Sequence, residues 1–146
     1  GRLLLPGVSA VVLRDDLEPA RVHLLLTRRS DTGRWSLPAG IVEPSEQPAA
    51  TALRELLEET RITAEVERLV LLTTDPDVIY PNGDTCQFVS MCFRCRYVSG
   101  EAQVGDEEST EVGWFRADEL PHELSDIQRR RIQCALQDRA DCVFDL

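Results

Sequence analysis

The 146-residue sequence predicts a mixed α/β domain. Three observations predict it. Short apolar runs rich in Val and Leu lie on both sides of one strongly amphipathic central segment. Clusters of Pro, Gly, Asn and Asp separate those runs. A second helical pattern appears only near the C-terminal end. Strands before and after a single helix make a mixed α/β pattern rather than a regular βαβ alternation. The length suits one domain, residues 1–146, around one core.

Val8 to Leu13 (VSAVVL) and Val22 to Leu26 (VHLLL) read as two strands of a hairpin, with the polar Asp15-Asp16 region as the turn between them. Thr27 to Ile41, punctuated by Gly33, Pro38 and Gly40, reads as a loop with a short extended piece. The central helix starts between Ser45 and Pro48, because Pro is tolerated in a first helical turn where its missing N–H costs nothing. Ala64 to Thr74 reads as a strand. Asn82-Gly83 is the strongest turn signal in the chain, and it joins Asp77–Tyr80 to Cys86–Val98 in a long hairpin. Gly100 to Thr110 is a polar, acidic loop, Val112 to Phe115 a short strand, and Ser125 to Gln137 a final helix entered through Pro121. No internal repeat, low-complexity tract or linker is visible.

The central helix carries Arg54-Glu55-Leu56-Leu57-Glu58-Glu59, three carboxylates within five residues. At about 100° per residue, Glu55 and Glu59 stand one turn apart with Glu58 beside them. Leu53, Leu56 and Leu57 gather on the opposite side with Ala49 one turn earlier, giving an apolar back and an acidic front. Like charges at i,i+4 repel, and a divalent cation taking carboxylate oxygens would reverse that repulsion. Taken alone, these three glutamates fit a solvated helix face equally well, since Glu is a good helix former.

The wider spacing is more specific. Gly40, five residues, Glu46, seven residues, then Arg54-Glu55-Leu56-x-Glu58-Glu59-x-x-Ile62 resembles the signature of the Nudix hydrolases. One fixed position departs: the glycine that would end the helix with positive φ is Arg61 here, a cost of about 1 kcal/mol at the helix terminus. The looser flanks Gly33-Arg34-Trp35-Ser36-Leu37-Pro38-Ala39, Glu111-Val112-Gly113-Trp114-Phe115 and Glu119-Leu120-Pro121 are similar to common Nudix surroundings. The resemblance implies an α/β/α sandwich, a curved mixed β-sheet between helices with the catalytic helix beside it. It also implies a metal-dependent pyrophosphohydrolase that cleaves the diphosphate of a nucleoside diphosphate linked to another group.

By that resemblance Glu55, Glu58 and Glu59 are the metal-site residues, with the backbone carbonyl near Gly40 as a further ligand and Mg²⁺ or Mn²⁺ as the ion. Arg54 would hold the site by pairing with Glu46 or a helix glutamate, since its fork matches a carboxylate bidentately, and Glu46 is then structural. Many family members add a carboxylate from the loop after the long hairpin, as a ligand or general base. Glu107, Glu108 and Glu111 are the candidates, and Glu108, six residues before Trp114, fits the family's spacing best. Arg28, Arg29 and Arg34 flank the box and would reach phosphates, with ordinary surface arginines as the alternative. Among Trp35, Tyr80, Phe88 and Trp114, core packing suits Phe88 and Trp114, whereas a base would stack on a free ring. Tyr80 to Asp84 with Gln87 resembles a hairpin of family members that bind nucleotide sugars, so Tyr80 joins the substrate-binding candidates.

Composition narrows the partners. A net charge of −10 makes the chain a poor binder of nucleic-acid polymers. A metal ion would have to bridge acidic protein and anionic nucleotide. No segment is long and apolar enough to span a membrane. No secretory signal is visible, although the chain begins at Gly1 rather than Met. The five cysteines, an odd count without tight spacing, suit a reducing, cytoplasmic setting. Cys92 and Cys95, three apart in a strand, face opposite ways and read as buried structural thiols. Homodimers are common in the family. Leu37-Pro38-Ala39-Gly40 is similar to ADP-ribose pyrophosphatases, which favours ADP-ribose or a related sugar nucleotide. The alternatives are a nucleoside triphosphate pyrophosphohydrolase that cleans the nucleotide pool, and a non-catalytic Nudix domain that senses a nucleotide. A structural domain docking a basic partner ranks last, because it leaves the box spacing unexplained.

Overall fold

A computed structural model describes residues 1–146. The strands are β1 (Arg2–Glu18), β2 (Arg21–Arg29), β3 (Trp35–Ser36), β4 (Ala39–Ile41), β5 (Thr63–Thr74), β6 (Val78–Ile79), β7 (Thr85–Ser99), β8 (Ser109–Arg116) and β9 (Val143–Phe144). The helices are α1 (Pro48–Thr60) and α2 (Asp126–Leu136). The sheet runs β3-β2-β1-β7-β5-β9, with β4 on β1, β6 on β7 and β8 on β2. Parallel β1–β7 and β5–β9 pairings join antiparallel ones, so the sheet is mixed.

The apolar runs of β1 and β2 are continuous rather than alternating because both faces of the sheet are covered. Val8, Ala10, Val12 and Leu25 face a cluster with Ala52 and Leu56 of α1. Val11, Leu13, Leu24 and Leu26 face the other, with Ile132, Cys134 and Ala135 of α2. The helices therefore pack on opposite faces, and the fold is the α/β/α sandwich. Cys92 falls in one cluster and Cys95 in the other, both buried thiols pushed up, chiefly by desolvation, to about 11 and about 12. They are structural groups on opposite faces of β7.

Two expectations need correction, and one strand was not expected. Asp15-Asp16 is strand, not turn: Arg14 grips Asp16 through two 2.6 Å bonds, as residues two apart on one face of a strand do. The hairpin turns at Pro19-Ala20, where Ala20 takes φ 57° between paired Glu18 and Arg21. The apolar back of α1 is also narrower than the sequence suggests. Leu56 is fully buried, but Leu57 is 47% exposed. Finally, β9 pairs with Leu71 and Leu72 of β5, a contact no local pattern announces.

Helix α2 is pinned to the sheet by a buried cluster. Arg131 Nη2 donates to Asp75 Oδ2 at 2.8 Å, the Ser90 hydroxyl donates to the same oxygen at 2.5 Å, and Thr73 donates to Oδ1 at 3.1 Å. Removing one partner of such a pair leaves a buried charge unpaired. Asp75→Ala is expected to cost about 3 kcal/mol in urea unfolding, whereas Asp141→Ala, at an exposed pair with Arg139, should leave the unfolding midpoint almost unchanged.

Candidate active site

Antiparallel pairing of Val8 with Gly40 carries β4 across the start of β1 and sets it against α1. Gly40 has no side chain, and Glu55 fills the vacated space: a Cβ there would collide with Cγ and Cδ of Glu55. Helix α1 opens on Pro48 without a side-chain cap and closes on Arg61 in the left-handed region, φ 63° and ψ 20°. Its acidic front faces β4 and the loop before β8.

Arg54 organises that front. Its Nε and Nη2 donate to Glu46 Oε2 and Oε1 at 2.7 and 3.0 Å, the bidentate pairing the sequence predicts. Its Nη1 donates to Glu55 at 3.0 Å and approaches Glu58 at 3.3 Å. The guanidinium, helped by the Thr51 hydroxyl, holds the Glu46 carboxyl down to about 2. Glu46 is thus an anchor for Arg54, and Arg54 aligns the two glutamates beyond it.

Glu59 has no such cation. It is 6% exposed, and its carboxylate accepts one bond, from the Ala39 N–H at 3.3 Å. Burial first, then the charges of Glu55, Asp106 and Glu108, push its carboxyl up to about 8. Burial also raises Glu55; Arg54 opposes that rise, while Glu58 and Glu108 reinforce it. Glu55, Glu59, Asp106 and Glu108 therefore form a cluster of carboxylates with more negative charge than the neighbouring arginines offset.

That donor set fits a hard divalent cation, which takes oxygen ligands and supplies the missing charge. As placed, no three of these carboxylates close around one point. Arg54 draws Glu55 and Glu58 onto its guanidinium, and Glu59 turns inward toward Ala39.

The structure joins Gly40, Glu46, Arg54, Glu55, Glu58, Glu59 and Glu108 at one place. Glu108 is fixed through its carbonyl, which accepts from the Ser30 N–H at 2.9 Å. Glu111 instead faces Arg28 at 3.6 Å, across the β2–β8 pairing. Arg29, clamped bidentately on Asp31, feels the charges of Glu108 and Glu59 and so lies beside the cluster. Arg28 turns to the Gly33 carbonyl at 2.9 Å, and Arg34 is exposed. Tyr80 lies apart: its hairpin adjoins Gly1 and Arg2, six residues along β1 from the Gly40 register, roughly 20 Å at about 3.3 Å per residue. Trp114 packs edge-on against Tyr97 at 5.4 Å, and Trp35 against Phe115 at 4.8 Å, so neither is a free stacking platform.

Sequence reasoning missed two participants. Asp106 sits in the acidic loop, but no spacing rule separates it from Glu107. The Ala39 N–H is a backbone donor, with no residue type to announce it.

A family model of the NUDIX domain matches residues 3–134. A MutT-like protein of Streptomyces ambofaciens is 36% identical over 130 residues, 89% of this chain and 75% of that protein. An NAD-capped RNA hydrolase, NudC, of Edwardsiella ictaluri is 30% identical over 132 residues, 88% of this chain but 46% of that protein. The MutT NUDIX hydrolase of Burkholderia pseudomallei superimposes with a TM-score of 0.70 at 27% identity, covering 89% of this chain and 96% of that one. Fold and sequence relatives define a hydrolase with an acidic helix packed on a mixed sheet. The chain belongs to the Nudix family. Members of that family generally work with divalent metal ions on small nucleotide substrates.

Proposed function

We propose that this domain hydrolyses the diphosphate bridge of a nucleoside diphosphate linked to a second group, with ADP-ribose or a related sugar nucleotide favoured and Mg²⁺ or Mn²⁺ as the ion. The observation that carries the reading is the uncompensated carboxylate cluster of Glu55, Glu59, Asp106 and Glu108 beside Glu58 and Arg54. A cluster of carboxylates repels a diphosphate unless cations intervene. Glu55, Glu58 and Glu59 would hold the ion, with the Gly40 carbonyl and Glu108 as further ligands. The bound ion would neutralise the diphosphate and acidify the attacking water.

The chain's own residues supply the rest. Arg54 orients Glu55 and Glu58, and Glu46 holds Arg54. The Ala39 N–H fixes one oxygen of Glu59. Arg29 is the arginine best sited to meet a phosphate, standing near Glu108 and Glu59. Glu108 is the candidate general base, or a ligand. Phosphoryl transfer asks little of a protein beyond such positioning and electrostatics.

Leu37-Pro38-Ala39-Gly40 supports the sugar-nucleotide reading. So does the NAD-capped RNA hydrolase relative, because NAD is itself a nucleoside diphosphate joined to a second group. The MutT-like relative favours a second reading, pyrophosphohydrolysis of a nucleoside triphosphate. No helix is long and apolar enough to cross a membrane; cytoplasmic location, a single domain over residues 1–146 and a homodimer belong to the proposal. Light scattering of the purified chain tests the dimer.

Hydrolysis of a nucleotide panel with Mg²⁺ or Mn²⁺, products identified by mass spectrometry, tests the function. The expected result is cleavage of ADP-ribose to AMP and ribose 5-phosphate. Release of pyrophosphate from a nucleoside triphosphate instead would select the second reading. Thermal stabilisation by a nucleotide without turnover would mark a sensor and overturn both.

A further inference from the structure

The box departs from the family pattern at one position, Arg61, and the structure gives that arginine a contact no glycine could make. We infer that Arg61 is a positioning residue: its side chain fastens the acidic loop 103–108 to the end of α1, so that Asp106 and Glu108 stand beside Glu59. The inference rests on the site proposed above.

The backbone at Arg61 does not call for arginine. Its φ of 63° and its N–H bond to the Leu57 carbonyl at 3.0 Å are what a helix-ending glycine provides with less strain. The side chain acts elsewhere. Its Nη2 donates to the Gly105 carbonyl at 3.2 Å. Gly105 is seated hard on the helix: its N–H donates to the Glu59 carbonyl at 3.0 Å, and a Cβ there would collide with the Glu58 carbonyl. The Gln103 N–H donates to the Thr60 carbonyl at 3.1 Å.

The last carbonyls of a helix lack intrahelical partners. Here the loop caps two of them, and Arg61 returns a bond from helix to loop. The next residue is Asp106, whose Oδ1 accepts the Glu108 N–H at 3.0 Å. Ser30 grips the far side through the carbonyls of Glu107 and Glu108. The loop is therefore tied at both ends around Asp106 and Glu108. Such ties are needed, because carboxylates brought beside Glu55, Glu58 and Glu59 repel them. Arg61 adds a positive charge to its tie.

Three variants separate positioning from capping. Arg61→Gly removes the side chain and relieves the left-handed residue. Arg61→Asn removes the guanidinium but tolerates that conformation. Arg61→Lys keeps the strain and restores a donor. The measurements are melting temperature, amide exchange over residues 101–108 by mass spectrometry, Mn²⁺ affinity by electron paramagnetic resonance, and turnover of the substrate the panel identifies. Positioning predicts opposed orders. Arg61→Gly melts at or above the parent, yet its loop amides exchange about tenfold faster and kcat falls about tenfold with KM little changed. Its Mn²⁺ affinity weakens severalfold. Arg61→Asn matches it, and Arg61→Lys recovers most of the protection and turnover. If Arg61→Gly and Arg61→Asn keep parental exchange, Mn²⁺ affinity and kcat, Arg61 only caps the helix and the inference is overturned. Should the parent bind no Mn²⁺ and cleave nothing, the proposed function falls, and amide exchange alone decides whether Arg61 holds the loop.

Discussion

Replacing Glu59 by Gln is expected to abolish metal-dependent hydrolysis while making the metal-free protein more stable at alkaline pH. Both effects have one origin. Glu59 is buried among Glu55, Asp106 and Glu108 with a single N–H donor, and its carboxyl is pushed from 4.5 to about 8. Below pH 4.5 it is protonated in folded and unfolded chains alike and contributes nothing to pH dependence. Between 4.5 and about 8 the unfolded chain loses this proton and the folded chain keeps it, so stability falls as pH rises. Above about 8 the penalty is complete, on the order of a few kcal/mol. Glutamine carries no charge to bury, keeps an oxygen for the Ala39 N–H, and matches the volume. Urea unfolding in EDTA is therefore expected to show the parent weakening from pH 5 to pH 9 and Glu59→Gln weakening much less. Activity moves the other way: loss of a proposed metal ligand should lower kcat by at least about 10³-fold. A variant that turns over normally would remove Glu59 from the site. One that shares the parent's pH slope would remove it as the source of that slope.

The parts of this site legible in the sequence are those held within one helix. Glu55, Glu58 and Glu59 share a face because three and four residues make a turn, and Arg54 reaches Glu46 across the first turn of the same segment. The strands of the core were legible too, since Val8–Leu13 and Val22–Leu26 are too continuously apolar to leave either face in water. What escaped was long-range. Asp106 is one of several acids in its loop, and only the seating of Gly105 on Glu58 and Glu59 selects it. Arg61 looked like a defect, because its gain is a bond to a carbonyl 44 residues away. Tyr80 was included by local resemblance, and the register of β1 with β7 carries its hairpin away from the carboxylates. Strand β9 depends wholly on pairing with β5.

Gly40→Ala is expected to cost activity far more than stability. The box glycine was read as a carbonyl ligand, a role any residue's backbone could fill. The structure adds a stricter reason for glycine: Glu55 lies where a Cβ would be, and the collision is with its Cγ and Cδ. The backbone at Gly40 needs no left-handed conformation, since positive φ among the glycines is confined to Gly33, Gly83 and Gly100. An added methyl therefore strains no dihedral; it displaces a side chain. Glu55 is only partly buried, so it can swing toward solvent at small cost, and the melting temperature should change by no more than about 2–4 °C, the equivalent of about 1 kcal/mol for a domain of this size. Swinging outward removes it from Glu59 and from Arg54 Nη1, which holds it at 3.0 Å. A misplacement of about 1 Å at a reacting centre can cost about 10²-fold in rate, and Glu55 must move further than that. Gly40→Ala should thus lose at least about 10²-fold in kcat. Gly105→Ala provides the contrast, because its Cβ would meet the Glu58 carbonyl, which cannot swing aside. That variant should lose stability and activity together. Equal melting losses in the two variants would show that Gly40 serves the fold of β4 rather than the seat of Glu55.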